Sequence, residues 1–175
     1  MPYLVSPDKT PLYYQQEGNF KNPAILFIHG EPFNTKFWVK NISGLSNDFG
    51  IISLDVRGRG ESGKTDNGQT LDQMGRDLRF VIESLGLEKG VVVGWSMGAA
   101  IFWSYIEQFG EVGISGFVDV DQRPYRFRCY DELVARLASL GENRLACHRD
   151  TIQEYFGPEL TATSETIDWM AYECM

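Results

Sequence analysis

The stretch Val91-Val92-Val93-Gly94-Trp95-Ser96-Met97-Gly98 decides how this chain folds. Three consecutive β-branched residues without polar alternation read as a strand covered on both faces. The pattern turns helical over Met97–Phe109, so the chain must bend sharply from strand to helix at Ser96. Glycines at 94 and 98 leave room for such a bend, because they bring no Cβ into it. A serine there sits in strained backbone geometry, with its hydroxyl clear of the sheet. The first N–H groups of the following helix and the positive end of its dipole lie beside that hydroxyl. A Gly/Ser turn with no chemistry is the plainer alternative.

Outward from this point, strand and helix signals alternate. Ala24–Ile28, Ile51–Leu54 and Phe117–Val120 read as further buried strands. Pro11–Glu17 reads as an antiparallel edge strand that could pair with Tyr3–Ser6. Thr35–Leu45 is a weak helix carrying Phe37, Trp38 and Leu45. Thr70 caps a stronger one, with Leu71, Met74, Leu78, Val81, Ile82 and Leu85 on one face and Gly86 as its stop. Such units predict an α/β fold: a mostly parallel, doubly wound sheet with helices on both faces. After Pro124 the character changes. Tyr130–Leu140, Asp150–Phe156 and Ser164–Tyr172 read as three short helices, with no further buried strand. The domain reading is a core over 1–124 and a helical cap or lid over 125–175, or an ordinary helical end to the domain.

The chain has 175 residues, which suits one domain, and 43% hydrophobic residues supply a core. Sixteen Lys and Arg against 24 Asp and Glu give a net charge of −8. That balance opposes binding to nucleic acid or to an anionic membrane surface. Arg123, Arg126 and Arg128, interleaved with Tyr125 and Phe127, therefore read as a solvated hinge. No apolar run approaches the length of a membrane span, and the N-terminus lacks the pattern of a signal peptide. Cys129, Cys147 and Cys174, an odd and sparse set, fit free thiols and a cytoplasmic location. Neither they nor His29 and His148 have metal-ligand spacing, so no metal and no cofactor is expected.

Three more segments join the first. His29-Gly30-Glu31-Pro32 follows one buried strand, and Asp55-Val56-Arg57-Gly58-Arg59-Gly60-Glu61-Ser62 follows the next. Val118-Asp119-Val120-Asp121-Gln122-Arg123-Pro124 ends the last. With Gly94-Trp95-Ser96-Met97-Gly98, their order and spacing over about residues 10–124 resemble the α/β-hydrolase superfamily. The likeness is to its cofactor-free haloperoxidase, esterase and epoxide-hydrolase-like branch. The resemblance implies that Ser96 is a nucleophile and that the backbone N–H groups of Glu31 and Met97 form an oxyanion hole. It makes His29 a structural residue. Trp38, Trp95 and Trp103 read as lining the core or the acyl pocket, with Trp95, next to the serine, as the pocket candidate. Epoxide hydrolases and haloalkane dehalogenases carry aspartate where Ser96 stands, so an ester or similar acyl bond of a small molecule is the expected substrate.

The same resemblance exposes a gap. In this fold the order is serine, acid, histidine, with the histidine after the last strand. Strands 7 and 8 of that fold find no counterpart here. His148 is the one histidine downstream of Ser96, and it falls between expected cap helices; a solvated histidine is its plainer reading. Asp119 and Asp121 are the candidate acids, Asp119 also reading as an anchor for local loops. The expectation is a shortened or partial hydrolase with an incomplete triad. Its open sheet edge would invite self-association; the oligomeric state is otherwise unreadable.

Two rival functions stand beside the hydrolase. A non-catalytic ligand-binding protein could keep the pocket without the relay. Gly58-Arg59-Gly60-Glu61-Ser62-Gly63-Lys64-Thr65 also satisfies the phosphate-loop pattern of nucleotide-binding enzymes. Phosphate cradling needs a helix to start at the Gly-Lys-Thr, whereas Asp66-Asn67-Gly68 are turn formers, which weakens that reading.

Overall fold

A computed structural model describes residues 2–65 and 67–122. The expected cap helices, the arginine-rich hinge, the three cysteines and His148 lie outside them. Six strands form one sheet: β1 (Tyr3–Val5), β2 (Pro11–Gly18), β3 (Ala24–Ile28), β4 (Gly50–Leu54), β5 (Gly90–Trp95) and β6 (Ile114–Val120). Three α-helices connect them: α1 (Val39–Leu45), α2 (Leu71–Ser84) and α3 (Met97–Phe109). The spatial order is β1-β2-β4-β3-β5-β6. β1 and β2 pair antiparallel, β2 runs antiparallel to β4, and β4, β3, β5 and β6 are mutually parallel.

The alternation of side chains along the central strands divides the core in two. Leu26 and Ile28 of β3, Ile52 and Leu54 of β4 and Val92 of β5 pack beneath α2 and α3, against Met74, Leu78, Val81, Ile101 and Tyr105. Phe27 and Ile51 face the other way, onto Trp38 and Ile42. The sheet is thus covered on both faces, as the uninterrupted apolar runs require.

Thr70 caps α2 by accepting a hydrogen bond from the Gln73 amide, and Gly86 follows the helix at φ +63°. The weak helix expected over Thr35–Leu45 is a 3-10 turn, Thr35–Trp38, running into α1. Asn34 caps that turn, accepting from the Lys36 amide. One expectation needs correcting. β6 is not fully buried: among the described residues it is the sheet's edge, with Val118 47% and Val120 37% exposed. Its apolar composition reflects one covered face, where Phe117 packs on Phe102 and Trp103.

From β3 the chain crosses to β4 on one side; from β4 it returns to β5 on the other. The carboxyl ends of β3 and β5 therefore flank a point where the winding reverses, the place where open α/β sheets leave a crevice for ligands.

Candidate active site

Ser96 lies at that reversal point, between the end of β5 and the start of α3, at φ 49° and ψ −115°. Positive φ crowds the Cβ of an L-residue against its own backbone, so neighbouring contacts must hold the bend in place. The Ser96 amide donates to the Val120 carbonyl at 2.9 Å, and its carbonyl accepts from the Ala99 and Ala100 amides. Gly98 lets α3 press onto β3: a Cβ there would lie 2.1 Å from the Ile28 carbonyl oxygen. A Cβ on Gly94 would lie 2.6 Å from the Ala99 nitrogen. Both glycines of the motif are thus required by close backbone approach. The Ser96 side chain is half-buried and makes no capping bond to the helix it begins.

The loop after β3 lies against this bend. A Cβ on Gly30 would come within 3.0 Å of the Ser96 Cβ. His29 is fully buried and bridges two loops. Its Nε2 accepts from the Val56 amide at 3.2 Å, which leaves the proton on Nδ1, 3.0 Å from the Gly30 carbonyl. Burial drives the imidazole's pKa below its usual value, against the raising effect of Asp55. A neutral, doubly engaged ring suits the structural part expected of His29. The Gly30 carbonyl also accepts from the Phe33 amide at 2.9 Å, so the orientation of the Gly30–Glu31 peptide is held from its carbonyl side. Among the described residues, the amides of Glu31 and Met97 have no acceptor. Trp95 stacks on Phe37 at 4.2 Å and meets Phe33 at 5.3 Å, on the α1 side of the sheet.

The loop after β4 supports both. Asp55 is buried; its Oδ1 accepts from the Thr35 amide at 2.6 Å and its Oδ2 from the Glu61 amide at 2.8 Å. The Ser62 hydroxyl donates to the Asp55 carbonyl and accepts from the Tyr13 amide. Arg57, with no exposed side-chain surface, forks onto Asp77 at 2.5 and 2.6 Å and reaches Asp8 at 2.8 Å. Arg59 donates through Nε to Glu31 Oε2 at 2.6 Å. Sequence spacing offered no sign of that last pair, since its members belong to different motifs.

The phosphate-loop alternative gains no support. After Lys64 and Thr65 the helix α2 begins only at Leu71, and the Lys64 amine donates to the Gly60 carbonyl at 2.8 Å. Among the described residues no helix N-terminus meets the Gly-Lys-Thr. Of the candidate acids, Asp119 is exposed, with Oδ2 accepting from the Trp103 indole at 2.9 Å and Oδ1 from the Gln122 amide at 3.1 Å. Asp121 is exposed at φ 57°, one residue beyond the carbonyl that holds Ser96. Among the described residues no cluster of three or more His, Cys, Asp or Glu side chains could hold a metal ion. Nor is any helix there long and apolar enough to cross a membrane.

This topology, with a strained serine where the winding reverses, defines an α/β-hydrolase architecture. The family model for the alpha/beta hydrolase fold matches residues 23–125, and the chain belongs to that family. Epoxide hydrolase 1 of Caenorhabditis elegans is 34% identical over 107 residues, covering 59% of this chain and 26% of that protein. The bifunctional esterase/perhydrolase DCH of Acinetobacter calcoaceticus is 29% identical over 110 residues, covering 62% and 40%. The crystal structure of a bromoperoxidase from Bacillus anthracis superposes with a TM-score of 0.79 at 22% identity, covering 94% of this chain and 64% of that one. The matched part of the chain thus spans well under half the length of the two curated relatives.

Proposed function

We propose that this chain carries the nucleophilic part of a serine hydrolase acting on an ester or similar acyl bond of a small, partly apolar molecule. The observation that carries the reading is Ser96 itself: a half-buried serine at φ 49°, at the reversal point, beside two amides without acceptors among the described residues. In this reading the Ser96 Oγ attacks the carbonyl carbon. The amides of Glu31 and Met97 take the charge that develops on the carbonyl oxygen, the largest single contribution in acyl transfer. The C–O bond to the leaving alcohol breaks, the alcohol departs with the serine's proton, and water later releases the acid from Ser96. A histidine outside the described residues serves as base, with His148 as one candidate. Asp121 would orient it in this reading, since both oxygens of Asp119 are taken by the Trp103 indole and the Gln122 amide, and Trp95 borders the pocket. The family relatives include an esterase/perhydrolase and an epoxide hydrolase. A serine at 96, in place of the carboxylate that epoxide opening would use, favours the acyl bond.

The test is covalent. A fluorophosphonate probe should modify the wild-type chain at Ser96, located by peptide mass spectrometry, with loss of one fluoride. Ser96→Ala should abolish both labelling and any slow cleavage of p-nitrophenyl acetate. Absence of an adduct at Ser96 in a folded sample, or unchanged turnover by Ser96→Ala, would overturn the reading. Saturable ligand binding without labelling would point to a non-catalytic binding protein instead.

A further inference from the structure

We infer that the buried ion pair between Arg59 and Glu31 positions the oxyanion donor at Glu31 and neutralises a carboxylate that would otherwise oppose it. The inference rests on the reading of Ser96 as nucleophile. Glu31 carries both groups at issue: its backbone N–H is the proposed donor, and its side chain holds a charge a few bonds away. Only 11% of the Glu31 side chain and 3% of the Arg59 side chain are exposed. The Arg59 Nε reaches Glu31 Oε2 at 2.6 Å, while its Nη1 donates to the Gly58 carbonyl at 3.2 Å. Glu31 Oε1 is buried without a hydrogen-bond partner among the described residues.

A pure stability role accounts poorly for this arrangement. Taking two charges out of water is costly, and an apolar pair of similar volume is often at least as stable. Leaving one carboxylate oxygen unsatisfied adds to that cost. Its placement, by contrast, suits the chemistry. The Gly30 carbonyl is fixed by the Phe33 amide and the His29 ring, which sets the peptide from one side. The Glu31–Arg59 bond fixes the same residue from the other, tying the loop after β3 to the loop after β4. Charge matters as much as position. The proposed oxyanion would develop against the backbone N–H of the residue that carries this buried carboxylate, and away from bulk water like charges repel more strongly. Arg59 makes the pair neutral at that moment. Arg59 is therefore a positioning residue that acts through Glu31, without touching substrate.

The experiment compares rates of fluorophosphonate labelling at Ser96 in the full chain, since that reaction also builds negative charge on an oxygen in the proposed hole. Arg59→Met, which leaves the Glu31 charge bare, should slow labelling about tenfold or more, within the range seen when oxyanion support is lost. Adding Glu31→Gln to Arg59→Met should restore most of the rate, because the opposing charge is gone. Urea unfolding of each variant separates the two roles: a merely structural pair would change labelling only in step with the folded fraction, whereas the rate expected here changes in fully folded protein. If Arg59→Met does not fold, Arg59→Lys against Arg59→Gln makes the same comparison. The charged variant should label within about threefold of wild type and the neutral one about tenfold slower. Wild-type rates in Arg59→Met, no rescue in the double variant, or equal rates for the lysine and glutamine variants would each overturn the inference while Ser96 still labels. Failure of the wild type to label at all would instead remove the underlying reading.

Discussion

The Ser96 amide donates to the Val120 carbonyl at 2.9 Å, so the bend after β5 is held by the last residue of the neighbouring strand. A strained turn needs such over-determination, because positive φ at a non-glycine residue costs of order 1–3 kcal/mol. Here one side is tied to β6 and the other is pressed onto β3 through Gly98. The strand register extends the same tie: Trp95 pairs with Val120, which brings the residue after each, Ser96 and Asp121, to the same end of the sheet.

That relationship separates the two candidate acids. Both oxygens of Asp119 are engaged, one by the Trp103 indole and one by the Gln122 amide. Asp119→Ala should therefore shift Trp103 emission and loosen β6 against α3, read by fluorescence and hydrogen exchange, while Ser96 keeps its labelling rate. A large loss of labelling in a folded Asp119→Ala protein would return Asp119 to the catalytic candidates.

Close approach makes a second contrast. Gly98→Ala forces a methyl to 2.1 Å from the Ile28 carbonyl oxygen, a backbone atom that cannot step aside. The expected loss in urea unfolding is about 3 kcal/mol, at the upper end for overpacking. Gly44 lies exposed inside α1, and a methyl added there would meet no atom within 4 Å. Gly44→Ala should stabilise by about 0.5–1 kcal/mol, by restoring helix propensity. The two substitutions should thus move the unfolding midpoint in opposite directions.

Much of this architecture is legible in the chain because local and global requirements agree. Val91–Val93 has to be a covered strand, and a helical pattern at Met97 leaves room only for a sharp turn at Ser96. The helix starting at Thr70 carries its own cap. What escapes the sequence is pairing across motifs. Nothing near Glu31 announces Arg59, 28 residues away, and nothing near Trp103 announces Asp119. Such contacts are set by where loops converge after the sheet forms, and no local periodicity encodes that. The partial exposure of β6 escapes for a related reason: an apolar run cannot say whether one face or two will be covered.

Arg57 makes a third prediction, on acid stability. Its guanidinium is buried between Asp77, 5% exposed, and Asp8, 43% exposed. Removing one partner of such a pair strands a buried charge, so Asp77→Ala should cost about 3–5 kcal/mol in denaturant unfolding. Asp8 is the group to watch with pH. The hydrogen bond from Arg57, helped by Ser6, holds its carboxyl well below the usual carboxylate range. A depressed acid contributes stability that is fully present above the unfolded-state pKa and is lost as pH falls toward the folded one. Asp8→Asn should therefore flatten the fall in stability below about pH 4 while the slope above it stays as in wild type. An unaltered acid limb would mean that Asp8 is not bonded to Arg57 in solution.

His29 should impose a second acid limb at higher pH. The ring is buried, its Nε2 accepts from Val56 and its Nδ1 faces the Gly30 carbonyl, so a second proton would face the Val56 N–H. Burial lowers its pKa against the raising effect of Asp55. For a base held neutral in the fold, the unfolded chain binds more protons below its own pKa. Stability is then greatest above that value and declines as pH drops through and below about 6.5. His29→Gln removes the titration. At pH 8 it should lower stability by about 1–3 kcal/mol, through imperfect replacement of two buried hydrogen bonds. Between pH 8 and pH 5, however, its urea midpoint should change less than that of wild type. Because the same ring holds the Gly30 carbonyl beside Ser96, the variant should also slow fluorophosphonate labelling at pH 8. Equal pH dependence in the two proteins would show that His29 titrates freely, and with it that the loop after β3 is not locked as described.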